Sequence, residues 1–481
     1  MSLPGFILRG GLAAALASGA LACNTPRPDG QLEVDGGPLM YAHRLTLEPG
    51  HEAGVLGPIF TERHAGTDPY SQWTIRPLLS WRGLDDGRSE EWDLLYPLLT
   101  YHRTGEESRF QLLQWIGFSG GRHQTGGDEN STTLFPFYFS RESGDPARDY
   151  RALFPVYGTL KGRMMRDRID FALFPLYAKS QKRDVVTRNY LYPIFHLRDG
   201  EGLRGWQIWP LAGHEVKSFN PAAGGAAAAG GHTRTFVAWP FYQHAESGIG
   251  TAQHTTVDAL LPLYSLRRAP QRQDTTLLWP FFHYTADAAN QYTEYGVPWP
   301  MIVWGDGPKK SVHRVWPLFG REQDGELTKA FYLWPLYQHR RLETERILRE
   351  RERYLGFLYA HTREQRKETG ESSERADLWP LYTYQRNGSR VRRQFLSPVE
   401  PLLPDHPGIE RNYSPLFALW RSESDAASGR SSTSLLWNLV RTESEPEREK
   451  CSLLFGLFRY KSEKEARELR LLWVLPLRWG G

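Results

Sequence analysis

Residues 117–121, Gly-Phe-Ser-Gly-Gly, match the G-x-S-x-G spacing in which a serine nucleophile sits on a sharp turn. Acyl transfer from such a serine needs a strand before it, a helix after it, and a histidine and an acid brought in from elsewhere. Ser119 is followed by Gly120-Gly121-Arg122-His123-Gln124-Thr125-Gly126-Gly127, a glycine-rich loop without helical periodicity, so the match reads as a turn. Histidines are the second candidate. His214, His244, His339 and His361 recur at one place after a repeated motif, and His196 and His283 fall one position earlier. A column of imidazoles could hold a metal or titrate near pH 6.5, the ordinary value of about 6.5 for the side chain. Thr159, Lys179 and Tyr384 take the same place in other copies, which points to a strand position accepting any amphipathic side chain. There is no Cys/His set with zinc spacing, no P-loop and no dinucleotide fingerprint. Asp85, Asp86, Glu90 and Glu91 fall in a turn-like stretch where solvation accounts for them. The chain is therefore read as a non-enzyme, with no catalytic, cofactor-binding or metal-binding residue.

What positions these residues is a repeat. An apolar-aromatic-Pro-apolar-aromatic motif, typified by Leu333-Trp334-Pro335-Leu336-Tyr337, is centred on Pro97, Pro136, Pro155, Pro175, Pro193, Pro210, Pro240, Pro262, Pro280, Pro300, Pro317, Pro335 and Pro380. Weaker copies surround Pro58, Pro77, Pro415 and Pro476, and copies without proline occur at 356–359, 436–439 and 455–458. The spacing is mostly about twenty residues, a period that signals stacked supersecondary units. Polar stretches such as 179–184, 198–202 and 386–389 lie between, and their Asp-Gly and Asn-Gly pairs suit hairpin turns. The expected fold is all-β: antiparallel hairpin or meander repeats, with a large transmembrane β-barrel as the alternative.

Proline has no N–H for a strand ladder, so each motif implies a regular break. Either two short strands meet there, or one long strand bends at a bulge. The motif rings are expected to pack together as the repeat core: Trp239, Trp279, Trp316, Trp334 and Trp379 with Tyr337 and Tyr382. On that reading Trp334→Ala costs about 3–5 kcal/mol. A spanning barrel fits less well, because its strands alternate lipid-facing apolar with lumen-facing polar residues, whereas the motif is apolar throughout. One helix is expected, at 342–354, rich in Arg and Glu.

The N-terminus carries an address. Arg9 is followed by the apolar run 10–17, then by the small residues Ser18, Gly19, Ala20 and Ala22, then by Cys23. This pattern is that of a secretory signal peptide. With a cysteine at the cleavage point it resembles a bacterial lipoprotein signal, although Ala20 stands where that family usually has leucine. The resemblance implies that 1–22 is removed, that Cys23 is lipidated, that 23–40 is a flexible tether, and that Asn24 favours the outer membrane. Residues 41–481 then form the β-repeat domain, with a loop insert near 214–232 and a charged segment near 338–376.

Composition excludes some classes. Only two cysteines occur, which rules out a disulfide framework. The 59 basic and 55 acidic residues nearly balance and no basic block dominates, so nucleic acid is not an expected partner. Aromatic residues make up 13% of the chain, far more than disordered chains carry. The expected protein is an exported envelope protein, lipid-anchored to the membrane, acting as a structural or binding scaffold for an envelope protein or polysaccharide. Its alternatives are an outer-membrane channel and a polysaccharide-binding or hydrolysing protein.

Overall fold

The structure, a computed structural model, describes residues 25–26, 32–36, 39–65, 70–84, 87–123, 127–200, 202–218 and 230–479. The expected signal segment 1–22, Cys23, half of the 23–40 tether and residues 219–229 of the expected insert lie outside the described residues; within the tether, Leu32–Gly36 is a strand paired with Met40–Arg44. The rest of that insert is strand, at Ala212–Lys217 and Gly231–Val237.

The fold is all-β. Antiparallel strands, most of five to eight residues, pair one after another with the next in sequence. They fall into two compact units: Trp115–Leu342, and Met1–Gln114 together with Glu343–Gly481.

Two kinds of turn alternate along the meander. The polar kind is short: Lys182 pairs with Val185 across Arg183-Asp184, and Asn387 pairs with Arg390 across Gly388-Ser389. Gly388 takes φ +59°, the left-handed backbone that glycine adopts without a Cβ penalty. At 198–202 the positive φ falls on Gly202 rather than on Gly200 of the Asp-Gly pair.

The other kind is the proline motif itself. Between Arg166–Ala172 and Tyr177–Lys182, Leu173 takes φ +46°, the Phe174-Pro175 peptide is cis, and the Leu176 N–H donates to the Leu173 carbonyl at 2.8 Å. Tyr332 and Tyr337 close the equivalent turn at 333–336, where Leu336 donates to Leu333 at 2.7 Å. This is a four-residue turn with cis-proline at its third position. Of the two arrangements the sequence left open, two short strands meeting at a bend is the one adopted. Copies without proline turn by positive φ instead, as at Leu436, Trp437 and Asn438. Pro415 and Pro476 are not motif turns, since they lie in the helix Ser414–Phe417 and the last strand Leu475–Trp479.

The expected helix at 342–354 is a strand, Ile347–Tyr354. Alternation of Arg and Glu there has period two, so Arg349, Arg351 and Arg353 share one exposed face while Glu350 and Glu352 share the other. Arg349 reaches Glu364 on the next strand, and Arg363 reaches Glu374 on the one after. Cross-strand pairing thus accounts for the charged segment. The α-helices are short and elsewhere, at Pro407–Asn412 and Ser414–Phe417. Each has proline in its first turn, where the missing N–H has no intrahelical partner to lose. They stand in the 396–419 connection, which replaces one motif turn.

The expected repeat core is overturned. Trp239, Trp279, Trp316 and Trp334 are 42–49% exposed, and Trp379, Tyr337 and Tyr382 are only half-buried. They lie on turns and at strand ends, where neighbours cover them only in part, as where the Trp379 indole N–H donates to the Pro398 carbonyl at 2.8 Å. In the Trp115–Leu342 unit a small apolar cluster instead gathers Phe139, Tyr150, Ala152, Leu160, Phe171 and Ala178. Trp334→Ala is accordingly expected to cost no more than about 1 kcal/mol in urea unfolding, well short of the values typical of buried rings. A loss above about 3 kcal/mol would return that ring to an interior.

Candidate functional site: a row of apolar turns and a charged interior

Because every second connection is a motif turn, with or without proline, or the 396–419 connection that replaces one, the motif turns of each unit gather at one end of its hairpins. Among the described residues the connections at the other end are mostly polar, with Leu45, Leu47 and Met164-Met165 among the exceptions. Backbone hydrogen bonds join neighbouring motif turns. The Phe174 N–H donates to the Pro155 carbonyl, Tyr192 to Pro175, Trp239 to Pro210 and Trp334 to Pro317, all at 2.7–2.8 Å. Proline has no N–H to satisfy here, and its carbonyl is the acceptor the next copy needs. The rings before the prolines follow suit, with centroids 5.2 Å apart for Phe154–Phe174, 5.6 Å for Phe174–Tyr192 and 6.0 Å for both Trp209–Trp239 and Trp316–Trp334.

Copy does pack upon copy, then, but along an open surface. Leu173, Leu191, Leu211, Phe241, Leu278, Phe281, Leu333 and Leu336 in these turns are exposed. The adjoining strand ends extend the apolar zone by one cross-strand pair, such as Leu277 with Phe282 and Tyr332 with Tyr337. Beyond that pair exposed charged side chains appear, among them Arg267, Arg268, Arg321, Lys329, Arg340 and Arg363, interspersed with exposed Phe118, Trp206, Tyr295 and Trp304.

The interior of the other unit, residues 1–114 with 343–481, has the opposite character. Its buried positions are mostly polar, with Arg76, Arg375, Arg392, Gln394, Glu400, Asn412 and Lys450 among them. Soluble domains seldom bury such residues without partners, and most of these have them. Glu400 accepts from Ser414 Oγ at 2.6 Å, from Arg375 at 3.4 Å and from Arg392. Arg411 meets Glu91 at 2.7 Å and Asp93 at 2.5 Å, and Asn412 Nδ2 donates to Asp93 at 2.9 Å. Arg421 pairs with Glu423 at 2.6 Å and Arg441 with Glu443 at 2.7 Å. Burial pushes the Glu423 carboxyl up, but Arg421 and Arg63 outweigh it and bring it down to about 2. Burial and then Arg441 lower His43 to about 4. A cavity of about 530 Å³ lies among these groups.

Ser119 is not on a sharp turn. It lies in the strand Ile116–Gly120, and its Oγ sits 2.7 Å from Ser131 Oγ. The histidine column is dispersed among neighbouring strands: His214 on Thr235, His244 on Asp258, His283 on Thr276 and Thr285, His361 on Glu374. Among the described residues no three His, Cys, Asp or Glu side chains are grouped as a metal ion would require. No protein-family model matches the chain, and no curated protein matches it.

The charged interior was missed in the sequence, although a signal for it exists. Arg421-x-Glu423, Arg441-x-Glu443 and Lys461-x-Glu463 repeat at intervals of twenty residues. Residues two apart on a strand share a face, and each of these pairs is in contact.

Proposed function

We propose that this chain is an envelope scaffold seated on a bilayer surface, held there by a lipid on Cys23 and by its row of proline-motif turns. The observation that carries this reading is the exposure of Trp, Phe and Leu at one end of the hairpins, with exposed arginine and lysine two to four pairs further along the strands. Tryptophan and tyrosine favour the headgroup level of membranes, and Arg and Lys set just outside it reach polar headgroups. The apolar zone suits immersion of about 5–10 Å, as for interfacial elements. Crossing a hydrocarbon core of about 30 Å takes strands of about 9–11 residues, which argues against the channel reading. An exported, outer-membrane location follows from the same reading.

The test uses the full chain carrying Cys23→Ser, mixed with phosphatidylcholine–phosphatidylglycerol vesicles. The protein is expected to float with the vesicles and its tryptophan emission to shift to shorter wavelength. Quenching is expected from bromine placed near the headgroup end of the acyl chains, not from bromine at the bilayer centre. Trp316→Ser with Trp334→Ser is expected to weaken partitioning several-fold. A chain left wholly in the buffer, its emission unchanged, defeats the proposal, and quenching at the bilayer centre replaces it with a spanning barrel.

A further inference from the structure

We infer that the cavity in the unit formed by residues 1–114 and 343–481 is a binding site for an oxyanion-bearing saccharide, a sugar carrying phosphate or carboxylate. Nine arginines but four glutamates line it. Several of those arginines are answered by carboxylates, as Arg421 is by Glu423 and Arg441 by Glu443. Two are held differently. Buried Arg76 spends its hydrogen bonds on the carbonyls of Arg411 and Pro58 and on Thr61 Oγ1, at 2.8–2.9 Å. Arg82 lies over the Tyr70 ring, 4.2 Å from its centroid. Carboxylates act on both only through space, Glu52 on Arg76 and Glu91 on Arg82, with no direct ion pair to either among the described residues. In addition, the Nε groups of Arg63, Arg392 and Arg411 are buried without a hydrogen-bond partner. Buried donors are normally satisfied, and an unsatisfied group in a native fold calls for an explanation such as a bound species. Guanidinium forks match the geometry of phosphate and carboxylate.

Size and the remaining lining point to a sugar rather than a bare ion. A volume of about 530 Å³ falls in the range of sites for small organic ligands, roughly 300–1,000 Å³. Gln72, Gln385 and Asn387 offer neutral amides to hydroxyl groups, Glu48 and Glu52 offer acceptors, and Trp437 offers an apolar ring.

The site is tested in vesicle-free buffer by calorimetric titration and thermal melting of the full chain with glucose 6-phosphate, glucuronate, inorganic phosphate and glucose. Saturable binding of glucose 6-phosphate or glucuronate is expected, with a raised melting temperature and no response to glucose. Arg82→Ala is expected to weaken it at least tenfold. Glu52→Gln, which removes a competing negative charge, is expected to tighten it. Phosphatidylinositol in phosphatidylcholine vesicles tells the sources apart: competition with the soluble sugar assigns a lipid headgroup, and its absence assigns a free or polymeric saccharide. No saturable binding of either sugar to the folded wild-type chain overturns the inference, as does inorganic phosphate binding equally tightly. Neither result bears on vesicle flotation, so the two proposals fail separately.

Discussion

Glu400→Ala is expected to destabilise its unit by about 3–5 kcal/mol, the range for removing one partner of a buried ion pair. Glu400 is 1% exposed and receives bonds from Arg392, Arg375 and Ser414. Without it, Arg392 retains Glu410, at 3.3 Å, and the through-space attraction of Glu423 on the next strand, while Arg375 retains Asp377 and Asp405. Burial alone would raise the Glu400 carboxyl, but Arg392, the Ser414 hydroxyl and Arg375 keep it below its ordinary range. The urea midpoint, at unchanged slope, is the measurement. Glu400→Gln keeps some of the hydrogen bonds without the charge and should fall between alanine and wild type. A loss under about 1 kcal/mol for Glu400→Ala would mean that the remaining carboxylates neutralise both arginines unaided.

Acid is expected to weaken the same unit in two stages. His43 is held neutral in the fold, its value lowered from 6.5 to about 4 by burial and by Arg441, with Lys450 adding to the effect and Glu52 and Glu443 opposing it. Between pH 6.5 and 4 the unfolded chain takes up a proton that the folded chain refuses. Stability therefore falls as pH drops through that window, by at most about 3 kcal/mol. Glu423, lowered from 4.5 to about 2, contributes stability that is complete above pH 4.5 and is lost as pH falls towards 2. Thermal melts from pH 7.5 to 3 should show a decline beginning near 6.5. His43→Gln cannot take up that proton and should flatten the first stage, leaving the contribution of His51, which burial also lowers. Identical profiles for wild type and His43→Gln would show that His43 carries none of the first stage.

The strands and their pairing order were legible because the twenty-residue period imposes itself on the whole chain and leaves room for little besides short hairpins. The role of the motif was not. Leu-Trp-Pro-Leu-Tyr has the composition of a buried strand, and only its three-dimensional neighbours show that it is a turn with nothing packed over it. Residues 347–354 misled for a related reason: Arg and Glu favour helix on their own, whereas partners on the adjacent strand, Glu364 and Thr362, fix them in a sheet. The helical connection at 396–419 left a trace in the spacing, since no motif turn occurs between Pro380 and Leu436. Contacts that build the charged interior, such as Thr46 with Ser432 and Arg411 with Asp93, join residues more than 300 positions apart. No local pattern could place them together.

The hydrogen bonds that the aromatic residue of one copy donates from its backbone N–H to the preceding copy's proline carbonyl make the hairpin, rather than the single strand, the indivisible module of this architecture. Gaining or losing a whole module of about twenty residues leaves every surviving ladder in register and every aromatic knuckle at its original end. Gaining or losing one strand inverts all that follow and drives apolar knuckles to the charged end. Length in such a protein can thus drift by duplication in steps of two strands, and the oily margin grows or shrinks with it.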